Sequence, residues 1–166
     1  MFKEMKVSGL VMDPKSNTPI LVLKDPRNET SLPIWIGLLE ATAIATELEK
    51  SQVPRPMTHD LIKNCLDLLD VTVERIDVCD LRDNTYFALI HLRDKNQVSS
   101  TLDARPSDAI AIALRTNAPI FVKEEVLNKS QKPEETAKPL FDQEHREKWS
   151  EILEELDPSD FSKYKM

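Results

Sequence analysis

A chain of 166 residues can fold as one ordinary domain and bury a sizeable core without disulfide or metal staples. Its 40% hydrophobic and 31% charged residues describe a soluble globular protein, and no run approaches the length of a membrane span. The formal charge of −7, from 22 basic and 29 acidic residues, argues against a dedicated nucleic-acid binder, which needs a basic stripe to neutralise phosphates.

The amino terminus, Met1 to Lys6, alternates charged and apolar residues and lacks the apolar stretch of a signal peptide. The cytoplasm is therefore the expected compartment. Val7 to Met12, Ile20 to Leu23 and Leu32 to Ile36 are short β-rich runs separated by Asp13-Pro14 with Asn17 and by Asp25-Pro26 with Asn28. A helix is expected from Leu38 to about Lys50. Pro54-Arg55-Pro56 then forces extended backbone, since a residue before proline avoids the helical region. Thr58 is a natural N-cap for a second helix from His59 to about Leu69.

The order then repeats. Val71 to Val78, Thr85 to Leu92 and Val98 to Leu102 are expected strands, Ser107 to Thr116 a third helix, and Ile120 to Val122 a closing strand. An offset of 68 residues carries Glu40 onto Asp108, Ala41 onto Ala109, Ile44 onto Ile112 and Leu21 onto Leu89. That self-similarity is an internal duplication, about 7–50 and 75–117. The fold class is α+β: duplicated strand-strand-strand-helix units forming mostly antiparallel sheets with packed helices. The domain spans 1–128, a polar linker 129–142, and Trp149, Ile152, Leu153 and Leu156 mark an amphipathic helix within 143–166. Such a helix, and the edge strands of a small duplicated domain, both need covering, so a homo-oligomer (dimer or trimer) is expected.

Only two glycines occur, which excludes phosphate-cradling glycine loops and dinucleotide fingerprints. Cys65 and Cys79 read as small core hydrophobes, as do Trp35 and Phe87 among the aromatics. His59 and Cys65 fall on different helix faces, so zinc is rejected. His91 and His145 are given no role.

Chemistry concentrates at the helix mouths. Asp103-Ala104-Arg105-Pro106-Ser107-Asp108 places two carboxylates and a guanidinium ahead of a small-residue apolar helix. Glu40, Asp103 and Asp108 are hard-oxygen ligands suited to Mg2+ or Mn2+, and a pseudo-twofold axis would bring Glu40 and Asp108 together. His59 and Asp60 open the second helix, where a histidine is a candidate general base. Arg55 and Arg105, forked donors on proline-stiffened segments, are the candidate phosphate contacts. A purely structural reading stands beside this one. Asp103 would cap the third helix, Asp108 and Glu40 would answer helix dipoles, and Arg105 would bridge them.

Leu32-Pro-Ile-Trp-Ile-Gly37, Glu40-Ala41, Pro54-Arg-Pro-Met-Thr-His-Asp60, Asp103-Ala-Arg-Pro-Ser-Asp108 and Pro119-Ile-Phe-Val122, spread over roughly residues 5 to 128, together resemble the bifunctional nuclease (DNase/RNase) domain family of bacteria and plants. The resemblance implies a nuclease acting on DNA and RNA phosphodiester bonds. The carboxylate, arginine and histidine set makes metal-assisted hydrolysis the matching chemistry, with catalytic roles for His59, Asp60, Asp103 and Asp108. The alternative is a non-catalytic oligomeric module that binds a small anionic ligand or a protein partner at the same crevice, with no membrane association in either case.

Overall fold

Residues 1–27 and 29–130 are described by the structure, a computed structural model. In chain order they form β1 (Phe2–Met12), β2 (Pro19–Lys24), β3 (Ser31–Trp35), α1 (Leu38–Leu48), α2 (Thr58–Leu68), β4 (Thr72–Arg82), β5 (Thr85–Arg93), β6 (Ser99–Ala104), α3 (Pro106–Thr116), β7 (Ile120–Lys123) and α4 (Glu124–Ser130). The expected C-terminal helix within 143–166 lies outside the described residues, as does all but the start of the linker. Among the described residues no helix is long and apolar enough to cross a membrane.

Seven strands make one sheet in the order β3-β2-β1-β7-β4-β5-β6. Every pairing is antiparallel except β4 with β7. The two three-stranded units therefore flank β7, with β1 and β4 running in opposite directions on either side of it. The 68-residue offset recurs in the elements themselves: α1 and α3 start and stop 68 residues apart, and so do the first residues of β3 and β6. The duplication thus extends to connectivity.

β1 is long because it serves two neighbours. Phe2 to Met5 pair with β7, whereas Lys6 to Met12 pair with β2. A register shift between Val7 and Gly9 interrupts the ladder with β2, and Gly9 takes a φ of 149°, which a side chain would oppose. With glycine so scarce, left-handed backbone falls mostly to Asn and Asp, the side chains that best tolerate it, with Lys50 and Gln97 as the exceptions. Asp83 and Asn84 both have positive φ, the pattern of a two-residue type I′ hairpin joining β4 to β5. Asp70 and Asn117 take positive φ just after α2 and α3.

The core is aliphatic. Leu21, Leu23, Leu32, Ile76, Ile90 and Val122 from the sheet are fully buried, with Ile44 of α1 and Ile110 of α3. Alternating alanines, Ala109, Ala111 and Ala113, are also buried in α3, which packs on β4, β5 and both neighbouring helices. Small side chains there permit that close approach.

Several expectations are corrected. The expected linker starts too early, because residues 129–130 still belong to α4 (Glu124–Ser130), which buries Val126 and Leu127. Trp35 is 53% exposed rather than core, and Cys65 is exposed on α2. Phe87 is half-buried, with the Arg82 guanidinium 4.7 Å from its ring centre. The N-caps also move: Met57 rather than Thr58 caps α2, and Arg105 rather than Asp103 caps α3.

Candidate active site

Each of the three longer helices has an acid at its third position: Glu40 in α1, Asp60 in α2 and Asp108 in α3. A carboxylate there suits the free amide groups and positive end of a helix. Only Asp60 makes the local cap, its Oδ2 accepting the Met57 N–H at 2.9 Å. Glu40 and Asp108 turn instead to one shared cation.

That cation is Arg105. Pro106 fixes the first position of α3, and Arg105 before it is held in extended backbone (φ −68°, ψ 145°). Its Nε donates to Asp108 Oδ2 at 2.7 Å and its Nη2 to Asp108 Oδ1 at 3.1 Å, a bidentate pair, while Nη1 donates to Glu40 Oε1 at 2.7 Å. The mouths of α1 and α3 meet through this side chain. Gly37, the N-cap of α1, makes room for the Glu40 carboxylate, since a Cβ there would lie 2.2 Å from Glu40 Oε2.

His59, second residue of α2, brings the third helix in. Its Nε2 lies 3.0 Å from Asp108 Oδ1. Burial pushes the Asp108 carboxyl up, but the hydrogen bonds from Arg105 and then His59 outweigh it and hold the group below the usual aspartate range. An ionised Asp108 only accepts, which assigns the proton to His59 Nε2 and leaves Nδ1 of the neutral ring as a free lone pair. Asp60 is likewise held low. Burial opposes ionisation there, and the Arg115 guanidinium and the Met57 amide overcome it.

Arg115, 3% exposed at its side chain, is the group that sequence reasoning missed. Its Nε donates to Asp60 Oδ1, its Nη1 to the carbonyls of Ala43 (3.1 Å) and Ala111 (3.0 Å), and its Nη2 to Ala43 O at 3.1 Å. One signal was available. Arg115 stands seven residues after Asp108, two helical turns along the same face, inside an otherwise apolar helix.

Five of the seven expected site residues thus converge: Glu40, His59, Asp60, Arg105 and Asp108. Two do not. Asp103 lies on β6, exposed, paired in register with Leu89, and Arg55 is exposed in the segment between α1 and α2. Neither joins the cluster through a hydrogen bond or ion pair among the described residues. A second histidine pair sits in the sheet, where His91 Nε2 is 2.7 Å from Asp77 Oδ2 and Arg75 Nη2 is 3.0 Å from the same oxygen. Asp77 is buried and its Oδ1 has no hydrogen-bond partner among the described residues. Hydrogen bonds do not connect this pair to the helix mouths.

The described residues contain no group of three or more His, Cys, Asp or Glu placed to hold a metal ion. Glu40 and Asp108 both commit oxygens to Arg105, so this donor set does not fit a resident divalent ion as it stands.

Comparison with known proteins bears on the same segments. A family model described as the bifunctional nuclease domain matches residues 21–135. A protein of Mycobacterium tuberculosis described as uncharacterized is 36% identical over 163 residues, 95% of this chain and 97% of that one. Bifunctional nuclease 1 of Arabidopsis thaliana is 30% identical over 107 residues, and bifunctional nuclease 2 of Oryza sativa subsp. japonica 29% identical over 107 residues. These matches cover 63% of this chain and 33% of each plant protein, so the chain spans about a third of their length. With the family model covering most of the folded region and including every residue of the helix-mouth cluster, the chain belongs to the bifunctional nuclease domain family.

Proposed function

We propose that the chain hydrolyses phosphodiester bonds of DNA and RNA at the mouths of α1, α2 and α3. The observation that supports it is the His59–Asp108–Arg105–Glu40 cluster, assembled from three helix starts far apart in sequence. Asp108 orients the His59 ring and fixes its tautomer, as a carboxylate does for a general base. His59 Nδ1 takes a proton from the attacking water, and the resulting imidazolium is available to protonate the leaving oxygen. Arg105 has five N–H donors, of which three are engaged by carboxylates; its side chain is 64% exposed, and the remaining two can hold a phosphate. No step is routed through a metal, because Arg105 occupies the oxygens that would bind one.

The test is cleavage of end-labelled single-stranded RNA and DNA oligonucleotides by wild type, His59→Gln and a His59→Gln/Arg105→Ala double variant, purified identically and checked for folding by circular dichroism. Wild-type cleavage that both variants lose supports the reading. Equal cleavage by all three means contaminating nuclease and overturns it. A chelator should leave cleavage intact. Loss on chelation would mean that an ion displaces Arg105 from Glu40 and Asp108, restoring the metal-assisted route.

A second reading, an oligomeric module that binds an anion or a protein, is favoured by α2. This amphipathic helix buries no residue, and Leu61, Ile62, Cys65, Leu68 and Leu69 are exposed. These positions are symmetric about Cys65, at three and four residues to either side, the pattern that two antiparallel copies related by a twofold axis would match. The stripe carries no charge, so copies of a chain with net charge −7 could meet there without like-charge contact. Light scattering at micromolar concentration should show a dimer, and mild oxidation should link Cys65 to its counterpart. A monomer by light scattering would exclude this assembly.

A further inference from the structure

Helix α3 holds α2 at two consecutive residues: Asp108 takes His59, and Arg115, two turns on, takes Asp60. The same helix holds α1 at two points one turn apart, Arg105 on Glu40 and Arg115 on the Ala43 carbonyl. α3 packs extensively on both neighbours. The placement of His59 relative to the α1 side of the cluster is therefore set through α3.

The two contacts on α2 differ in kind. His59 to Asp108 is a single hydrogen bond between partly exposed groups, and one such contact leaves a helix free to pivot. Arg115 is buried, planar and satisfied on all three nitrogens by one carboxylate and two carbonyls. The carboxylate it grips is also the cap of α2, since Asp60 Oδ2 accepts the Met57 amide. The grip therefore acts on the first turn of α2, the turn that carries His59. A guanidinium suits this task because its donors lie fixed in one plane, whereas an ammonium would hold Asp60 without setting the angle between helices.

From this geometry we infer that Arg115 is a positioning residue. It holds the first turn of α2, through Asp60 and against the Ala43 carbonyl of α1, so that His59 Nε2 meets Asp108 and Nδ1 faces substrate. The inference rests on the nuclease reading for its consequence in turnover, but its structural claim can be checked without activity.

Three histidines occur in the chain, so ring proton resonances are few, and His59→Gln identifies the one from His59. In full-length Arg115→Met and Asp60→Asn proteins, the His59 ring resonance should shift while that of His91 stays in place. Where wild type cleaves, kcat should fall on the order of 100-fold, with KM changed by less than about twofold, as expected for a displaced catalytic group. Arg115→Lys should restore folding but little of kcat. The double variant should lose no more than the worse single, because both act through one contact. Should Arg115→Met fail to fold, Asp60→Asn breaks the same contact from its partly exposed end and carries the test alone. An unmoved His59 resonance in either folded variant overturns the inference. A wild type without cleavage removes the nuclease reading and leaves the resonance shifts to decide this one.

Discussion

The two halves of the molecule share element order, with β1 and β4, and α1 and α3, all 11 residues long, yet they contribute unequally to the helix-mouth cluster. Positions 37 and 105 are equivalent at the 68-residue offset, and both are N-caps with extended backbone, one Gly and one Arg. The second half places a cation at its cap. The first half deletes the side chain at its cap, and Glu40 folds back over the bare backbone to meet that cation. A duplicated frame thus sets two carboxylates, Glu40 and Asp108, in related places, and one asymmetric pair of caps joins them. Two arginines would crowd the junction, and two glycines would leave both acids without a guanidinium. The edges differ as well. β3 buries Leu32 and Ile34 and accepts the Tyr86 O–H at Pro33 O, whereas every residue of β6 before Ala104 is exposed.

The largest expected effect comes from removing the asymmetry. Arg105→Ala should lower kcat on the order of 100- to 1,000-fold, the usual result of losing a donor aimed at developing charge. Its side chain is largely solvent-exposed, so the melting temperature should change little, and measuring both on one preparation separates the site from the scaffold. Gly37→Ala attacks the pair from the other side. The backbone accepts alanine (φ −75°), but the new Cβ would lie 2.2 Å from Glu40 Oε2 and forces the carboxylate that meets Arg105 to shift. We expect kcat to fall about tenfold, and a cap loss of ~0.5–1 kcal/mol in thermal unfolding. Activity equal to wild type would show that Glu40 is dispensable.

Acid should act next. Asp60 and Asp108 are ionised in the fold below their ordinary value near 3.8. A depressed folded pKa means stability that is present above the unfolded value and lost as pH falls through the folded one. Melting temperature should therefore drop on acidification below about pH 3.8, and Asp108→Asn should flatten that drop. An unchanged acid profile in the variant would refute the coupling. The smallest effect belongs to Asp103→Asn. Among the described residues the Asp103 side chain caps no helix and makes no hydrogen bond or ion pair, so a change within about 0.5 kcal/mol is expected.

Most of the architecture was legible because it rests on local signals. Prolines, Asn and Asp mark the turns, and the repeat exposes itself through the alanines of α1 and α3. The mouths of those helices announced Glu40, Arg105 and Asp108. Features decided by distant partners were not legible. Arg115 meets Asp60 across 55 residues and His59 meets Asp108 across 49, and nothing local encodes either distance. Amphipathic spacing in α2 marks an apolar face but not what covers it, and Cys65 on that face is exposed rather than core. α4 carries no such signal: Glu124, Glu125, Asn128 and Lys129 read as solvent-facing, while Val126 and Leu127, its two buried residues, are too few for a periodic pattern.

The position of β7 has a consequence for biosynthesis. In the sheet this strand alone lies between the two halves, and it is the last of the seven to leave the ribosome. Until Lys123 emerges, β1 and β4 each present an open hydrogen-bonding edge to the cell. Each half can zip its own hairpins early, but their union waits for four residues, Ile120 to Lys123. A nascent chain stalled just short of them would be two sticky half-sheets, the form most exposed to aggregation and to chaperone capture.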